Sequence, residues 1–224
     1  MDGNGRWAKK QNKDRIEGHK RGADTVRMLV TESRKLGIDY LTLYAFSTEN
    51  WSRPQNEVNA LMLLFEQFLK SELNLMLEKG IRLRLIGDRT KLPVNILATL
   101  NFSDKKNPSS NILNLNLAIS YGSRQEILNA CVQIAEKFKS NEIDLDEINQ
   151  ELFSSYLYTA NMPDPDLLIR TSNEKRISNF LLWQIAYSEI YITDKLWPDF
   201  DSIELLNSLL DYSKRERRFG KVLD

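Results

Sequence analysis

The sequence predicts an α/β fold, a single domain in which helices flank a central, mostly parallel β-sheet. Short apolar runs such as Tyr40–Phe46 and Ile81–Ile86 alternate along the chain with longer segments whose apolar residues recur at helical spacing. Strands that alternate with helices form parallel sheets whose two faces are both covered. No internal repeat or low-complexity stretch divides the 224 residues, so we expect one domain over 1–224.

The helical segments are defined by apolar periodicity and by the residues that stop them. Between Val58 and Met76 apolar side chains recur over several turns, and Gly80 follows as a stop signal. The predicted helices are a segment that ends at Gly37, Glu57–Lys79, about Lys91–Phe102, Ile127–Phe138, Leu145–Tyr158 and about Ser202–Phe219.

The predicted strands are followed by polar loops, and those loops are candidate positions for a site. The strands are Tyr40–Phe46, Ile81–Ile86, Ile112–Ile119 and Asp166–Ile169, whereas Phe180–Ile192 mixes helix and strand signals. A turn is predicted just before the third strand, at Asn107, Pro108, Ser109 and Ser110. Sheets of this class bind ligands at the carboxyl ends of their strands.

The overall charge argues against a protein dedicated to binding nucleic acid. The chain carries 31 basic and 31 acidic residues, so its formal net charge is zero. Basic residues are nonetheless concentrated between Gly3 and Arg21. That concentration suits a small anionic ligand, although a solvated helix face would have the same composition.

The low counts of cysteine and histidine exclude disulfides and several kinds of metal site. The one cysteine, Cys131, excludes an internal disulfide and a cysteine-rich metal centre, and it fits a reducing cytosol. The one histidine, His19, leaves no set of histidines for zinc. No signal peptide is evident, and no apolar run approaches the roughly 20 residues that a membrane span needs. We therefore expect a cytoplasmic protein.

The segment Met1–Ala8, MDGNGRWA, combines an acidic residue, glycines and an arginine. Gly3 and Gly5 allow the backbone to turn tightly and to approach a phosphate. Asp2 offers an oxygen ligand for Mg²⁺, and Arg6 offers a planar fork of donors to diphosphate oxygens. A structural turn capped by Asp2 would have the same sequence, so the segment alone leaves both interpretations open.

Two further polar segments follow predicted strands. Ser47–Pro54 (STENWSRP) follows the first strand, and Ile169–Phe180 (IRTSNEKRISNF) begins at the end of the fourth. In the second segment Arg170, Arg176 and Ser178 could together clamp a diphosphate. A capped loop and a surface loop with salt bridges explain the same two segments equally well.

Taken together, these segments resemble the cis-prenyltransferases, the family that includes the bacterial undecaprenyl diphosphate synthases. The matching motifs are MDGNGRWAKK, GHKRGA, LYAFSTENWSRP, IRTSNEKRISNFLLWQIAYSEIYITDKLWPDF and RERRFG, in family order over nearly the whole chain. The resemblance implies an apolar tunnel between sheet and helices. It also implies Mg²⁺-dependent condensation of isopentenyl diphosphate with an allylic diphosphate, with farnesyl diphosphate as the expected primer. The expected product is a long Z-polyprenyl diphosphate such as undecaprenyl diphosphate, the lipid carrier precursor for cell-wall synthesis.

The resemblance assigns roles to residues across the chain. Asp2 and Asn50 are the implied catalytic residues, and Asp2 and Glu189 are the implied metal contacts. The implied substrate-binding residues are Gly3, Asn4, Gly5, Arg6, Trp7, Arg15, His19, Ser47, Thr48, Glu49, Trp51, Arg53, Arg170, Arg176, Ile177 and Ser178. The polar residues among the last four match the isopentenyl diphosphate site, and those from Gly3 to His19 match the allylic site. The residues from Ser47 to Arg53 fall in a segment that touches substrate.

The resemblance also bears on proton transfer, product length and partners. Asn50 matches a position sometimes assigned as proton acceptor, but a neutral carboxamide is a very weak base, so we expect it to position substrate or to relay a proton to a diphosphate oxygen. Ala45 and Leu113 match tunnel positions that limit product length, although both also suit a plain core. In this homodimeric family Arg218 and Gly220 match an element that completes the partner's site. Release of an apolar product implies peripheral contact with the inner face of the membrane.

Two departures from the family pattern affect the expected activity. Family members have an apolar strand just before the aspartate segment, whereas this chain begins at Met1, so we expect the chain as given to be weakly active or poorly folded. Ser172 and Asn173 stand where many members have two glycines, a change expected to stiffen a loop that moves over substrate.

Several alternatives stand beside this interpretation. The family also contains non-catalytic partner subunits that lack the aspartate segment, and the chain could be a truncated inactive copy. A glycosyltransferase-like enzyme could use Asp164 and Asp166 as a metal pair, but such a pair is frequent by chance. A nucleic-acid module is disfavoured by the neutral charge and the scattered aromatic residues. The presence of Asp2 and Asn50 favours a catalyst.

Overall fold

The computed structural model of the chain describes residues 1–106, 108, 112–218 and 220. Within these ranges the α-helices are α1 (Asn4–Lys10), α2 (Arg15–Lys35), α3 (Gln55–Glu78), α4 (Val94–Lys105), α5 (Ser123–Lys139), α6 (Gln150–Ser155) and α7 (Ser202–Ser213). The β-strands are β1 (Tyr40–Ser47), β2 (Ile81–Ile86), β3 (Leu113–Tyr121), β4 (Leu167–Arg170) and β5 (Glu189–Ile192). Helices and strands alternate over most of the chain, as the sequence predicts.

Every strand pairing in the described residues is parallel, which confirms the predicted α/β class. β3 is the middle strand of a three-stranded sheet, and its Leu117 lies opposite Leu43 of β1 and Leu85 of β2. Parallel neighbours need long crossover connections, which α3 and α4 supply. β3 is buried along its whole length because other elements cover both of its faces.

β4 and β5 form a separate parallel pair rather than a continuation of the first sheet. Leu167 of β4 lies opposite Glu189 of β5. A cavity of about 640 Å³ is lined by residues of both β1 and β4. The rings of Tyr44 in β1 and Phe180, which follows β4, stack with centroids 4.5 Å apart. The predicted central sheet is therefore divided into two parallel sheets in the described chain.

One large apolar core packs the three-stranded sheet against α2, α3 and α4. Its fully buried members include Leu115 of β3, Leu69 of α3 and Ile96 of α4. Burying a side chain of this size contributes roughly 1.5–3 kcal/mol, so this core dominates the stability of the fold. A smaller cluster around Tyr121 and Phe180 includes residues from the loop between β4 and β5.

The glycine-rich segment at the start of the chain contains a helix that the sequence did not predict. Gly3 has a left-handed φ of 110° and directly precedes α1. α1 packs closely on α2, because a Cβ atom added at Gly18 would lie 2.0 Å from the main-chain oxygen of Asn4. A larger residue at position 18 would push the two helices apart. Asp2 therefore sits at the start of a closely packed helix pair.

The predicted helix Leu145–Tyr158 is divided in the structure. A 3-10 turn covers Leu145–Glu147, and α6 begins afterwards. The side chain of Asn149 accepts a hydrogen bond from the N–H of Leu152 at 2.9 Å and so caps a new helix. The capping residue, which the apolar periodicity does not register, decides where this helix starts.

Two other predictions reach beyond the described residues. The predicted C-terminal helix extends to Phe219, whereas α7 ends at Ser213 and Phe219 itself lies outside the described residues. Asn107, Ser109 and Ser110 of the predicted turn also lie outside them.

Glu126 of α5 is a buried carboxyl group that ties α5 to the smaller cluster. The Tyr121 hydroxyl donates to its Oε2 at 2.6 Å, and the N–H of Tyr158 donates to its Oε1 at 2.8 Å. Gln184 donates to Oε2 at 3.3 Å. Burial raises the pKa of Glu126 above its ordinary value, although these donors favour the charged form.

We predict that Glu126→Ala lowers the free energy of unfolding by about 2–4 kcal/mol, because it leaves the Tyr121 hydroxyl and the Tyr158 N–H without an acceptor. Glu126→Gln keeps one acceptor oxygen and should gain stability relative to the wild type as the pH rises. The raised pKa means that the folded protein binds more protons than the unfolded chain above about pH 4.5, so the wild type loses stability there. Urea unfolding from pH 4.5 to 8 measures both effects. Identical pH slopes for the wild type and Glu126→Gln would contradict the second.

Candidate active site

The carboxyl ends of β1 and β4 open into one cavity of about 750 Å³, where the rule for parallel sheets places a ligand. The predicted site residues in its wall are Asp2, Gly3, Asn4, Gly5, Arg15, His19, Ser47, Glu49, Asn50, Arg53, Arg170, Arg176, Ile177 and Ser178. The apolar residues in its wall include Ala23, Val26, Ala45, Leu61, Met62, Phe65, Phe68, Leu117 and Ile119. The structure thus brings together predicted residues from three distant segments.

The charged and apolar residues occupy different ends of this cavity. Arg53 lies just before α3, whereas Phe68 lies about 20 Å along that helix from its first residue, Gln55, at about 1.5 Å per residue. α2 shows the same order, since Arg15 is its first residue and Val26 lies three turns farther along. We call the charged end the mouth and the apolar remainder the body. The shape fits a ligand with an anionic head and a long apolar tail.

Asp2 is held by residues that follow the two short strands. The Thr171 hydroxyl accepts a hydrogen bond from the N–H of Asp2 and donates to its carbonyl, each at 2.9 Å. The Ser172 hydroxyl donates to the same carbonyl at 2.8 Å, and the N–H of Trp197 donates to it at 2.9 Å. The Asp2 carboxylate lies 2.5 Å from Nη2 of Arg170. Both the main chain and the side chain of Asp2 are therefore fixed at the mouth.

Arg170 makes the end of β4 suited to an anion. Its Nη2 also lies 3.1 Å from the Ser178 hydroxyl, and its side chain is only 13% exposed. Its Nε is buried and has no hydrogen-bond partner among the described residues. A positively charged donor that is held in place with an unused N–H is well arranged to bind an anionic oxygen.

A second group of basic side chains lies at the starts of α2 and α3. Arg15 and Arg53 share the carboxylate of Glu57, with nitrogen–oxygen distances of 3.2 and 3.0 Å. His19 lies beside them, and its buried Nε2 has no hydrogen-bond partner within the described part of the chain. Burial, and then the positive charges of Arg53 and Arg15, lower the pKa of His19 to about 4. The imidazole is therefore neutral at pH 7.

A 3-10 turn at Thr48–Ser52 carries the predicted residues that follow β1. The carboxamide oxygen of Asn50 accepts a hydrogen bond from the N–H of Ser47 at 3.1 Å, so it is already engaged within the turn. Glu49 accepts a hydrogen bond from Asn179 at 2.8 Å. Burial opposes its ionisation, but the hydrogen bonds from Asn179 and nearby hydroxyls outweigh burial and lower the pKa of Glu49. The side chain of Asn50 therefore helps to fix the turn that follows β1.

Four of the predicted substrate-binding residues are not part of the cavity wall, namely Arg6, Trp7, Thr48 and Trp51. The indole N–H of Trp51 donates to the Ser120 hydroxyl at 2.9 Å, and the indole N–H of Trp7 donates to the Asp199 carboxylate at 2.8 Å. Within the described residues the two indole N–H groups are used in these hydrogen bonds, and the structure does not bring these side chains into the cavity wall.

Glu174 connects two predicted arginines that come from distant parts of the chain. Its carboxylate lies 2.7 Å from Nη2 of Arg6 in α1, and it also pairs with Arg176. Arg176 is part of the cavity wall, whereas Arg6 is not. The carboxylate of Glu174 thus stands between the two guanidinium groups.

Glu189, the predicted second metal contact, is not brought to Asp2 within the described chain. It begins β5 opposite Leu167, which is three strand positions, or about 10 Å, from Arg170. Its carboxylate pairs with Arg215 at 2.9 Å, and it does not form part of the cavity wall. The register of β5 against β4 is what places Glu189 at the opposite end of the strand pair.

The predicted tail residues Arg218 and Gly220 lie after α7 and outside the cavity wall. Both are exposed, and Nη2 of Arg218 lies 3.8 Å from the carboxylate of Glu216.

Some residues that shape the site were not predicted. Thr171 and Ser172 directly follow Arg170, and two hydroxyls at the exit of a strand are a signal that could have identified them. Glu57 and Glu174 pair with arginines that are far away in sequence, and no local pattern reveals such a contact.

Asp2 suits a Mg²⁺ ion that is shared with a phosphate ligand rather than a closed protein site. Among the described residues, no three acidic, histidine or cysteine side chains come together as a protein-only metal site needs. Mg²⁺ is usually bound by one or two carboxylates together with water and phosphate oxygens. The Asp2 carboxylate lies in the cavity wall and is 37% exposed, so this donor set fits Mg²⁺ bound with a diphosphate.

Comparisons with known proteins agree with this geometry. The profile of the family described as "Putative undecaprenyl diphosphate synthase" matches residues 1–220. The chain is 47% identical over 222 residues to an isoprenyl transferase of Clostridium perfringens, which covers 99% of this chain and 88% of the relative. It is 49% identical over 220 residues to a farnesyl-diphosphate-specific ditrans,polycis-undecaprenyl-diphosphate synthase of Micrococcus luteus. This match covers 98% of this chain and 88% of the relative. The crystal structure of lavandulyl diphosphate synthase from Lavandula x intermedia is similar with a TM-score of 0.95 at 35% identity, over 99% of this chain and 95% of that one.

We predict that Thr171→Val lowers the free energy of unfolding by about 1–3 kcal/mol, because valine has the same shape but can neither accept from nor donate to the main chain of Asp2. Thr171→Ser keeps the hydroxyl and should keep most of the stability. Guanidinium unfolding of the three proteins measures the difference. Equal midpoints for the valine and serine variants would show that the hydroxyl does not hold Asp2.

His19 is the only histidine of the chain, so its ring can be followed by NMR without assignment. We predict that its proton signals keep the neutral position from pH 7 to about pH 5 and titrate near pH 4. Between about pH 6.5 and 4 the unfolded chain takes up a proton that the folded protein does not, so stability should fall over that range as the pH is lowered. Titration near pH 6.5 would mean that the ring is not buried among the arginines.

Proposed function

This chain belongs to the undecaprenyl diphosphate synthase family of cis-prenyltransferases, and we propose that its cavity condenses isopentenyl diphosphate with an allylic diphosphate, using farnesyl diphosphate as the primer. The match over residues 1–220 and the two relatives of 47% and 49% identity confirm the family resemblance of the motifs. The observation that carries the proposed reaction is a charged mouth that continues into an apolar body, with mouth and body together extending about 20 Å along α3 from Gln55 to Phe68. The proposed product is a long Z-polyprenyl diphosphate such as undecaprenyl diphosphate.

Two groups of residues at the mouth would each bind one of the two diphosphate heads. The isopentenyl diphosphate head would be bound by Arg170, Arg176 and Ser178, which come from β4 and the loop after it. The allylic head would lie at Asp2, beside Gly3–Gly5 and the start of α2. Because both groups line one cavity, the two substrates would be held side by side, and such positioning lowers the entropic cost of joining them.

The arginines act on the charge that develops during the reaction. The double bond of isopentenyl diphosphate would form a new carbon–carbon bond with the allylic carbon while the bond between that carbon and its diphosphate breaks, so negative charge grows on the leaving oxygens. A preorganised donor at such an oxygen typically contributes about 3 kcal/mol. Arg15, at the start of α2 where the allylic head would lie, is part of the cavity wall and is already held by the Glu57 carboxylate at 3.2 Å, so it would need little reorientation. Mg²⁺ held by Asp2 together with the diphosphate would supply further stabilisation of the same charge.

Loss of a proton from the added isopentenyl unit completes the new double bond. The oxygen of Asn50 accepts a hydrogen bond from Ser47, and a neutral carboxamide is a weak base. We therefore assign Asn50 to positioning the isopentenyl unit, with a diphosphate oxygen as the proton acceptor.

The growing chain would extend from the mouth into the body, between α2, α3 and β3. Ala45 of β1 is part of the wall, and its small side chain leaves room for the product. Leu113, the other predicted tunnel residue, is fully buried at the start of β3 and is not part of the wall. Of these two positions, only Ala45 is placed to influence product length by direct contact.

A second copy of the chain and a membrane surface complete the proposed partners. Arg218 and Gly220 are exposed outside this chain's cavity, so they would complete the site of a partner subunit in a homodimer. None of the helices in the described ranges has the length and apolarity to cross a membrane. We propose a cytoplasmic enzyme that contacts the inner face of the membrane peripherally, where the apolar product can leave the body.

The reaction is tested by incorporation of labelled isopentenyl diphosphate in the presence of farnesyl diphosphate and Mg²⁺, with product length read by chromatography. We predict that Asp2→Ala lowers kcat/KM roughly 100- to 1000-fold, because it removes the proposed Mg²⁺ ligand and the partner of Arg170. The matched control is Asp146→Ala, which removes an exposed carboxylate of the 3-10 turn before α6 and should leave the rate unchanged.

Undiminished product from Asp2→Ala would remove the assigned role of Asp2. If the wild-type chain makes no product alone but does so with a second family subunit, it is a non-catalytic partner subunit instead.

A further inference from the structure

Five arginines around the mouth are each paired with a carboxylate of the chain itself. The pairs are Arg170 with Asp2, Arg15 and Arg53 with Glu57, and Arg6 and Arg176 with Glu174. Asp2 is bound by its main chain, and Glu57 belongs to α3. Glu174 differs, because it lies in the loop between β4 and β5.

The loop segment 174–178 is attached to the rest of the protein by side chains. On one side of the segment, the N–H of Asn173 donates to the carbonyl of Thr193 at 2.7 Å. On the other side, the carbonyl of Asn179 accepts from the N–H of Ser123 at 2.9 Å. Between these anchors, residues 174–178 make no hydrogen bond between main-chain groups in the described structure. Their position therefore depends on the side-chain contacts of the segment.

The carboxylate of Glu174 is the contact that joins this segment to α1. Its side chain is 18% exposed and bridges Arg6 and Arg176. A hydrogen bond from Arg176, followed by the positive charges of Arg176 and Arg6, outweighs desolvation and lowers the pKa of Glu174, so its carboxylate is ionised at neutral pH. Two guanidinium groups that converge on one carboxylate also suit a phosphate group, which offers more oxygens to the same donors.

We propose that Glu174 is an affinity-determining residue, whose carboxylate occupies a diphosphate position between Arg6 and Arg176 in the free protein and leaves it when substrate binds. This inference rests on the proposed function, because the substrate diphosphate is what replaces the carboxylate. Ion pairs with exposed partners are weak, and Arg6 and Arg176 are 50% and 61% exposed, whereas charge-assisted bonds from arginine to phosphate are strong, so the exchange favours the substrate. Release of Glu174 also frees segment 174–178 to adjust to the bound head.

A substitution of Glu174 should change diphosphate affinity in the opposite direction from a substitution of a residue that binds substrate. Removal of a binding residue weakens diphosphate binding, whereas removal of an internal competitor strengthens it. In the incorporation assay, Glu174→Gln should therefore lower KM for isopentenyl diphosphate and leave kcat nearly unchanged.

Isothermal titration of the full chain with inorganic pyrophosphate measures the exchange without catalysis. Glu174→Gln keeps the size of the side chain and removes its charge, and we expect its Kd to be about 3- to 10-fold lower than that of the wild type, as the loss of one or two exposed ion pairs predicts. Glu142→Gln is the matched control. Glu142 pairs with Lys137 near the far end of α5, about 21 Å along that helix from Ser123, so the Kd of this variant should equal that of the wild type.

Each other outcome overturns the inference. If the wild type binds pyrophosphate and Glu174→Gln binds it equally or more weakly, Glu174 is not a competitor, and the proposed function is unaffected. If neither protein binds, the proposed function fails as well. An equal gain in Glu142→Gln would show an effect of net charge alone. Thermal unfolding verifies that the variants are folded, and Glu174→Ala repeats the comparison without any hydrogen-bond acceptor at that position.

Discussion

The binding of Asp2 by the residues that follow β4 is the constraint on which the rest of the site depends. Thr171 and Ser172 bind its main chain, and Arg170 binds its carboxylate. These contacts join the start of the chain to the two-stranded sheet, while the close packing of α1 on α2 at Gly18 joins it to the main core. The mouth is therefore built between the two sheets, and neither sheet could position it alone.

Several arginines around one cavity would repel each other without compensating charge. Asp2, Glu57 and Glu174 supply that charge in the free protein. At His19 burial, and then the positive charges of Arg53 and Arg15, lower the pKa and keep the imidazole neutral. Compensation stabilises the free protein but places carboxylates where a ligand would bind. The weaker the replaced pair, the less affinity is lost, and Glu174 pairs with two arginines that are at least half exposed and lies in a loop with few main-chain bonds.

The sequence is sufficient to predict an element where the apolar residues of that element face the core. Ile81–Ile86 was predicted with the bounds that the structure has, and the segments that follow strands do form the mouth. Prediction failed where distant contacts decide the outcome. α1 is helical despite its glycines because it packs on Gly18, and the pair between Glu174 and Arg6 has no local signal. Tryptophan is common in binding sites, but the orientation of Trp51 depends on a hydrogen bond to β3 that the sequence does not show.

The loop after β4 achieves its shape with strained residues rather than with glycine. Ser172, Asn173, Ser178, Asn179 and Leu181 have φ values between 47° and 71°. For residues other than glycine and asparagine this conformation costs roughly 1–2 kcal/mol each, and it persists only where surrounding contacts over-determine it. Ser172 shows why glycine would not be equivalent, because its hydroxyl binds the carbonyl of Asp2 and glycine would release that bond. The strained residues on either side of 174–177 therefore hold the ends of the loop at the mouth, and the sparsely bonded residues between them are the part that can give way to a substrate.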